Sequence, residues 1–230
     1  MKMLGLIGGM SWESSAEYYR IINQGVRERC GPTASARCLL WSFDFAEIAI
    51  LQTAGDWDTL AVLLVDAAKR LETAGADLLL ICTNTMHKSA PEIEAATRVP
   101  LLHIADPAGA AVKAAGHKTV GLLGTAFTME QPFYAQRLAE KHGLNVLVPE
   151  ADDRAEVHRV IYEELVTGKV KPASRATYRA VIKRLAARGA TAIVLGCTEI
   201  MLLIGPEDSP LPLYDTTRLH AEAAVAFALA

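Results

Sequence analysis

The chain carries an internal repeat that limits which folds are possible. A short apolar run around Gly5 returns around Gly121, and each copy is followed by residues that can begin a helix. A later apolar run in each copy ends at a cysteine, Cys82 in the first and Cys197 in the second. The interval is 77 residues from Gly5 to Cys82 and 76 residues from Gly121 to Cys197. This matched spacing predicts two halves with the same topology.

Each half alternates short apolar runs with helical patterns. The first half predicts strands at 4–7, 37–43, 77–81 and 99–104, and helices from Ser11, at 57–71 and at 88–97, with a short helix or loop at 44–52. The second half predicts strands at 119–125, 144–148, 191–195 and 211–215, and helices that start near 128–130 or lie at 153–167 and at 173–188. This alternation is typical of a parallel α/β sheet. The predicted fold is α/β with two similar domains, each a mainly parallel sheet flanked by helices. The domains are expected to be related by pseudo-two-fold symmetry, with the active site between them.

The last helical pattern, residues 216–229, has no further strand to follow it. In a duplicated chain, such a helix most simply returns to cover the first half. The predicted domains are therefore residues 1–104 with 215–230, and residues 105–214. Asp106 and Asp215 occupy equivalent positions in the two halves and are expected to cap helices.

Composition and charge exclude some classes of function. The net charge is −3, and lysine and arginine are scattered, so no general affinity for nucleic acid or a membrane surface is expected. The apolar run after Lys2 is short and lacks a small-residue cleavage pattern, which predicts a buried first strand rather than a signal peptide. No apolar run reaches the roughly 20 residues that cross a bilayer. A cytoplasmic protein is predicted.

The four cysteines fall into two classes. No pair has the Cys-x-x-Cys spacing, so neither a disulfide framework nor a zinc site is expected. Free cysteine usually behaves as a small apolar residue, and Cys30 and Cys38 are assigned that role. Cys82 and Cys197 differ because they lie at equivalent strand ends, where ligands bind in open α/β sheets. Each also precedes residues that can begin a helix, whose N-terminus lowers thiol pKa values.

A pair of thiols suits the inversion of a stereocentre. One thiolate removes a proton from one face of a carbon, and the other thiol returns a proton to the opposite face. Backbone N–H groups at helix N-termini and in the Gly8-Gly9 turn are candidates to hold an adjacent carboxylate. That turn lacks the full glycine pattern of dinucleotide-binding proteins. The predicted chemistry is therefore a two-base racemisation.

Three segments of the chain resemble the aspartate/glutamate racemase superfamily of cofactor-independent racemases. They are Leu6-Ile7-Gly8-Gly9-Met10-Ser11-Trp12-Glu13-Ser14, Cys82-Thr83-Asn84-Thr85-Met86-His87 and Gly196-Cys197-Thr198-Glu199-Ile200. The resemblance implies an amino-acid substrate, a homodimer, and neither pyridoxal phosphate nor a metal. It also implies that Cys82 and Cys197 are the catalytic acid/base residues. The substrate-binding residues that follow from it are Met10, Ser11, Gln52, Thr83, Asn84, Thr85, Thr125, Thr198 and Glu199.

Two positions bear on which amino acid such an enzyme would accept. Glu199 stands where glutamate racemases tend to carry histidine, so the chain is closer to aspartate racemases and broad-specificity amino-acid racemases. Aspartate-specific members often supply an arginine after the second strand, whereas this chain has neutral Gln52. Arg27 or Lys169 could compensate for it. The sequence favours broad or neutral side-chain specificity.

Other functions remain open at this point. The first alternative is a racemase specific for aspartate or glutamate. Related carbon-acid enzymes, such as hydantoin racemases and maleate isomerases, share the fold and the thiol positions, whereas the related decarboxylases resemble single-cysteine variants. A non-catalytic protein that binds amino acids is a further alternative. In deuterated water it would bind its ligand without exchanging the α-hydrogen for solvent deuterium. A redox dithiol would need its sulfur atoms at bonding distance.

Overall fold

A computed structural model describes residues 1–230. The strands are β1 (Leu4–Gly8), β2 (Cys38–Ser42), β3 (Leu78–Ile81), β4 (Leu101–Leu102), β5 (Thr119–Gly124), β6 (Asn145–Leu147), β7 (Ala192–Gly196) and β8 (Leu213–Asp215). The α-helices are α1 (Trp12–Cys30), α2 (Phe45–Ala54), α3 (Trp57–Thr73), α4 (Ala90–Ala96), α5 (Ala105–Ala114), α6 (Ala126–Glu130), α7 (Pro132–His142), α8 (Ala151–Glu163), α9 (Pro172–Ala187), α10 (Ile200–Leu203) and α11 (Thr216–Leu229). Short 3-10 helices lie at Thr85–Ser89, Leu165–Thr167 and Pro206–Asp208. None of the helices has the length and hydropathy required to span a membrane.

The strands form two four-stranded parallel sheets with the same topology. The first sheet has the order β2-β1-β3-β4, and the second has the order β6-β5-β7-β8. The pairing places Ile7 beside Ile81 in the first sheet and Gly124 beside Gly196 in the second. Helices flank both sheets, so the predicted α/β fold with two similar parallel-sheet halves is confirmed.

The chain divides into two compact units, residues 1–104 with 220–230 and residues 105–219. β8 and the first turn of α11 belong to the second unit, whereas the rest of α11 belongs to the first. The limits predicted from the sequence place the last boundary at residue 215, and as domain limits they stay a prediction.

The first sheet is covered on both faces. β1 and β3 are buried along their whole length, as expected for parallel strands between two layers of helices. Alternate strand residues point to opposite faces. One face packs against α1 and α11 through Leu4, Leu6, Tyr18, Ile22, Val26, Leu78, Leu80, Cys82, Ala221, Ala224, Val225 and Ala228. The other face packs against α2, α3 and α4 through Ile7, Ile48, Leu60, Leu64, Ala67, Ala68, Leu71, Leu79, Ile81 and Ile93.

The second unit has one large apolar cluster on a face of its sheet. It joins β5 and β7 to α8, α9 and α10 through Leu123, Val157, Val160, Ile161, Tyr178, Val181, Ile182, Leu185, Ile193, Leu195, Cys197, Ile200 and Leu203. The cysteine that follows β7 is therefore part of the packed interior of this unit.

Several predicted elements differ in extent. The helix predicted at 88–97 is divided into a 3-10 helix and α4, because Pro91 lies in the first turn of α4 and favours a new helix start there. The strand predicted at 99–104 contributes only two residues, β4, at the edge of its sheet. The helix predicted to start near 128 is divided into α6 and α7, because Pro132 lies in the first turn of α7 and favours a new helix start there. No range was predicted for α5, the helix that the cap expected at Asp106 implies.

The two aspartates expected to cap helices behave differently. Asp215 accepts hydrogen bonds from the N–H groups of Thr217 and Arg218, which confirms its capping role. Asp106 lies inside the first turn of α5, and its carboxylate instead accepts two hydrogen bonds from Arg137 at 2.7 Å. The capping role predicted for Asp106 is therefore wrong, because a bidentate pair with α7 takes up its oxygens.

We expect Asp106→Asn to lower the free energy of unfolding by about 2 kcal/mol at neutral pH. Partial burial opposes ionisation of Asp106, but hydrogen bonds from Arg137 and Lys141 outweigh it and hold its pKa at about 2. This stabilisation is present above the ordinary pKa of 3.8 and is lost as the pH falls toward 2. Urea unfolding across this acidic range measures it. Asp66→Asn is the control, because the exposed Asp66–Arg70 pair contributes less than about 0.5 kcal/mol.

Candidate active site

The first cysteine site lies directly after β3. It comprises Cys82, Thr83, Asn84 and Thr85. The N–H of Cys82 donates to the carbonyl of Ile7 at 2.8 Å and so continues the pairing of β3 with β1. Ser14 Oγ donates to the carbonyl of Cys82 at 2.7 Å. The end of β3 is thus fixed to the end of β1 and to the first turn of α1.

The turn between β1 and α1 lies at the same edge of the first sheet. Ser11 Oγ accepts from the N–H of Ser14 at 3.3 Å, which confirms that Ser11 caps α1. The N–H of Gly9 donates to Ser15 Oγ at 2.8 Å. Met10 and Ser11 are both buried. The turn is therefore held in one conformation by the serines of α1, and its predicted role in binding substrate stays a prediction.

We expect Gly9→Ala to destabilise the first unit by about 3 kcal/mol. Gly9 has a φ angle of +82°, and a Cβ there would lie 2.2 Å from the carbonyl oxygen of Phe43. The turn would have to open, which would also displace Met10 and Ser11. Gly55→Ala is the matched control, because its φ angle is +70° but no atom lies within 4 Å of the added Cβ. That control should cost only about 1 kcal/mol in urea unfolding. Equal losses of stability in the two variants would contradict the close contact with Phe43 as the cause of the effect.

Gln52 is brought to the first cysteine site by α2. Its Nε2 donates to Met86 Sδ at 3.2 Å, and Met86 lies in the 3-10 helix that follows Cys82. Gln52 is 5% exposed, and Asn84 and Thr85 are equally buried. The predicted residues of the first half, including Thr83, are therefore collected around one strand end.

His87 holds the loop after Cys82 in place. Its Nδ1 donates to the carbonyl of Thr83 at 2.8 Å, and its Nε2 accepts from the N–H of Ile104 at 3.1 Å, so the ring is the neutral tautomer. His220 of α11 lies edge-on to this ring, with centroids 5.8 Å apart. Tyr18 Oη donates to Nδ1 of His220 at 2.7 Å, while Nε2 of His220 donates to a carbonyl of β4. The role of His87 in the structure is therefore to fix the loop after Cys82.

The second cysteine site lies directly after β7. It comprises Cys197, Thr198 and Glu199. β5 is the neighbour of β7, and Thr125 follows β5 at the same sheet edge. Thr125 Oγ1 accepts from the N–H of Thr128 at 3.3 Å and caps α6. The predicted residues of the second half therefore also surround one strand end.

Glu199 is bonded to the thiol of its own site. Its Oε2 accepts from Cys197 Sγ at 3.0 Å and from Thr198 Oγ1 at 2.6 Å. The carboxylate is only 4% exposed. A buried carboxylate bonded to a thiol can take or return that proton. The structure thus gives Glu199 a partner that the resemblance did not indicate.

Burial dominates the ionisation of both catalytic candidates. It raises the pKa of the Cys82 thiol, with a smaller contribution from Cys38. It also raises the pKa of the Cys197 thiol, and the negative charge of Glu199 raises it further. The expectation that these thiol pKa values are lowered is wrong, because desolvation outweighs the other effects at both sites. At Cys197 the backbone N–H groups of Thr198 and Glu199 lower the pKa, but by less than burial raises it.

Two residues at the second cysteine site were missed in the sequence. His158 and Tyr162 lie one turn apart on α8, with ring centroids 4.6 Å apart. His158 Nδ1 accepts from the N–H of Ala126, and Tyr162 packs against the cluster that contains Cys197. The internal repeat could have indicated them, because α8 occupies in the second half the position that α2, which carries Gln52, occupies in the first half.

A sequence profile of the Asp/Glu/hydantoin racemase family matches residues 7–224. The chain belongs to the Asp/Glu/hydantoin racemase family. It is therefore a racemase-family enzyme, an isomerase, and the resemblance identified from its three motifs is confirmed. A curated relative, the broad specificity amino-acid racemase RacX of Bacillus subtilis (strain 168), is 25% identical over 179 residues, which cover 76% of this chain and 75% of that protein.

Solved structures of family members have the same fold. A Yersinia pestis protein provisionally assigned as an Asp/Glu racemase is 53% identical, with a TM-score of 0.93 and full coverage of both chains. PH1733 of Pyrococcus horikoshii OT3, an aspartate racemase homologue, is 32% identical, with a TM-score of 0.86 and full coverage of both chains. A glutamate racemase from Francisella tularensis is only 16% identical over 99% of this chain and 81% of its own, with a TM-score of 0.69, and shows the fold alone.

Proposed function

We propose that the protein is a cofactor-independent amino-acid racemase that uses Cys82 and Cys197 as its two acid/base groups. The observation that carries this proposal is the equivalence of the two cysteines. Each follows the third strand of its half, beside the end of the first strand, in sheets of identical order. Inversion at carbon needs one proton acceptor and one proton donor, and a duplicated strand end supplies one group of each kind.

In the proposed reaction, one thiolate removes the α-proton and becomes a thiol. The electron pair of the broken C–H bond remains on the α-carbon and is delocalised into the substrate carboxylate. The second thiol then donates its proton to the opposite face and becomes a thiolate, so the net charge of the pair is unchanged. Hydroxyl, amide and backbone N–H donors stabilise the carboxylate as its charge grows. The proposed donors are Met10, Ser11, Thr83, Asn84, Thr85, Thr125 and Thr198, the first through its backbone.

Formation of a thiolate requires a stabilising interaction, because burial favours the neutral thiol. The ammonium group of a bound amino acid supplies a positive charge, and opposite charge within about 4–6 Å favours a thiolate. At Cys197 the hydrogen-bonded carboxylate of Glu199 offers a second route, since it can accept the thiol proton. We propose that Glu199 acts with Cys197 as one acid/base unit.

The proposed specificity is for neutral side chains, or for a broad range of them. Gln52 is uncharged, is bonded to Met86, and lies beside the first cysteine site, where it offers no positive charge to a distal carboxylate. The name of the Bacillus subtilis relative, a broad specificity racemase, agrees with this proposal. The homodimer and the cytoplasmic location stay predictions, and light scattering tests the former.

The function is tested with single enantiomers of alanine, homoserine, norvaline, aspartate and glutamate in deuterated water. Circular dichroism reports inversion, and proton NMR reports exchange of the α-hydrogen. We expect inversion with α-deuteration of the neutral amino acids. A strict preference for aspartate or glutamate would contradict the proposed specificity. Binding without exchange for every amino acid would contradict the proposed reaction.

A further inference from the structure

We infer that His158 and Tyr162 form a wall that contacts the substrate side chain, and that this wall favours uncharged side chains carrying a hydrogen-bond acceptor. This wall, the α8 wall, consists of those two residues. The inference rests on the proposed function, since it specifies which side chains the racemase accepts. It makes His158 a specificity-determining residue with no part in moving the α-proton.

The position of the α8 wall follows from contacts at two neighbouring strand ends. His158 Nδ1 accepts from the N–H of Ala126 at 3.1 Å, and Ala126 directly follows Thr125. Tyr162, one helical turn further along α8, packs against the apolar cluster that contains Cys197. The two rings are 4.6 Å apart between centroids. The wall therefore runs along the second cysteine site from the end of β5 toward the end of β7.

The hydrogen bond to Ala126 fixes which nitrogen of His158 carries the proton. A ring that accepts at Nδ1 carries its single proton at Nε2 when it is neutral. Burial lowers the pKa of His158, which outweighs the opposite effect of Glu130. The ring thus presents one neutral N–H donor, flanked by the edge-on ring of Phe127 at 6.2 Å between centroids.

The charges around the α8 wall disfavour a side-chain carboxylate. The carboxylate of Glu199 lies at the same site, and its charge, after burial and the charge of Cys197, helps to raise the pKa of Tyr162. The two arginines of α8 are already engaged, Arg154 with Glu130 and Arg159 with three neighbouring carboxylates. An uncharged hydroxyl or amide oxygen can accept a hydrogen bond from His158 Nε2 without the electrostatic repulsion that Glu199 exerts on a carboxylate.

The inference is tested with homoserine and norvaline, which have side chains of nearly the same shape and differ in the terminal hydroxyl. Wild-type enzyme should show the higher kcat/KM for homoserine. His158→Phe keeps a planar ring but removes the donor, and it should lower the homoserine-to-norvaline ratio of kcat/KM about tenfold, as expected for one lost neutral hydrogen bond. His158→Gln retains an acceptor for Ala126 and a donor for substrate, and should preserve most of the ratio.

Alanine and a distant histidine provide the controls. The kcat/KM for alanine, whose side chain is too short to reach the donor, should change less than about threefold in His158→Phe. His117→Phe replaces a histidine that contacts Thr191 and Tyr214 in the same unit, and should leave the ratio unchanged. If the ratio stays the same in His158→Phe while amino acids are racemised, the inference fails and the proposed function stands. If wild type racemises no amino acid, the proposed function fails.

Discussion

Replacing Cys82 or Cys197 with serine should lower the racemisation rate by about a thousandfold. Serine preserves the size of the side chain but is a far weaker acid. At that face of the α-carbon, neither removal of the proton nor its return can then proceed at a useful rate. Both kcat/KM values, for the L and the D enantiomer, should fall together because each direction uses both groups. The equilibrium constant between enantiomers is unity, which requires the two values to remain equal.

The remaining cysteines provide matched controls for this experiment. Cys38→Ser alters a half-buried cysteine of β2, and Cys30→Ser alters an exposed one at the end of α1. Both control variants should retain activity within about threefold of wild type. Circular dichroism and thermal unfolding check that each variant is folded, and Cys82→Ala separates the loss of the thiol from the burial of a new hydroxyl. Full activity in Cys82→Ser or Cys197→Ser would refute the two-base proposal.

Isotope exchange distinguishes loss of one base from loss of the whole site. Each single variant keeps one thiol, which can still remove and return a proton on its own face. In deuterated water we expect slow α-deuteration without inversion, and the enantiomer that exchanges should differ between the Cys82 and Cys197 variants. Exchange of the same enantiomer in both variants would contradict the assignment of the two cysteines to opposite faces.

The topology was predictable because buried parallel strands appear in a sequence as continuous apolar runs. The internal repeat then predicts, from the sequence alone, that Cys82 and Cys197 lie at equivalent strand ends. The extent of the helix α5 was not predictable in this way, since it contains Pro107 and Gly109, which disfavour helices in most positions. Gly109 is required by packing, because a Cβ there would lie 2.4 Å from the ring of His142 on α7.

The site was predicted only as far as local sequence patterns reach. Glu199 was recognisable as a candidate site residue, but its hydrogen bond to Cys197 depends on how the chain turns after β7. The α8 wall lies far from both cysteines along the chain, and only the packing of α8 brings His158 and Tyr162 to the strand ends. Tertiary packing also decides the thiol pKa values, because desolvation outweighs the effect of the short helices.

Replacing Glu199 with glutamine should lower the racemisation rate at neutral pH by about a hundredfold. The carboxylate of Glu199 accepts a hydrogen bond from Cys197 Sγ at 3.0 Å, so it can receive the thiol proton when Cys197 acts as base. Glutamine preserves the size of the side chain but cannot accept that proton. In the variant, Cys197 must ionise by itself inside a buried site, which burial opposes.

The pH dependence identifies this role. Below the thiol pKa, the thiolate fraction rises about tenfold for each pH unit, so the rate of Glu199→Gln should recover in alkaline solution with the same slope. The pKa of the Cys197 thiol should also fall in the variant, because the negative charge of Glu199 raises it in the native protein. Thiolate absorbance measures this pKa by difference against the double variant with Cys197→Ser.

Glu164→Gln is the matched control for Glu199→Gln. Glu164 is a carboxylate as buried as Glu199 in the same unit, but it is bonded to Ser174 and Arg159. Its loss should reduce stability and leave the shape of the pH–rate profile unchanged. If Glu199→Gln also loses activity with an unchanged profile, Glu199 holds substrate or structure and takes no proton. A loss at neutral pH with alkaline recovery, confined to Glu199→Gln, would instead assign the carboxylate and thiol to one acid/base unit. Removal of the charge alone would lower the thiol pKa and so raise the rate at neutral pH.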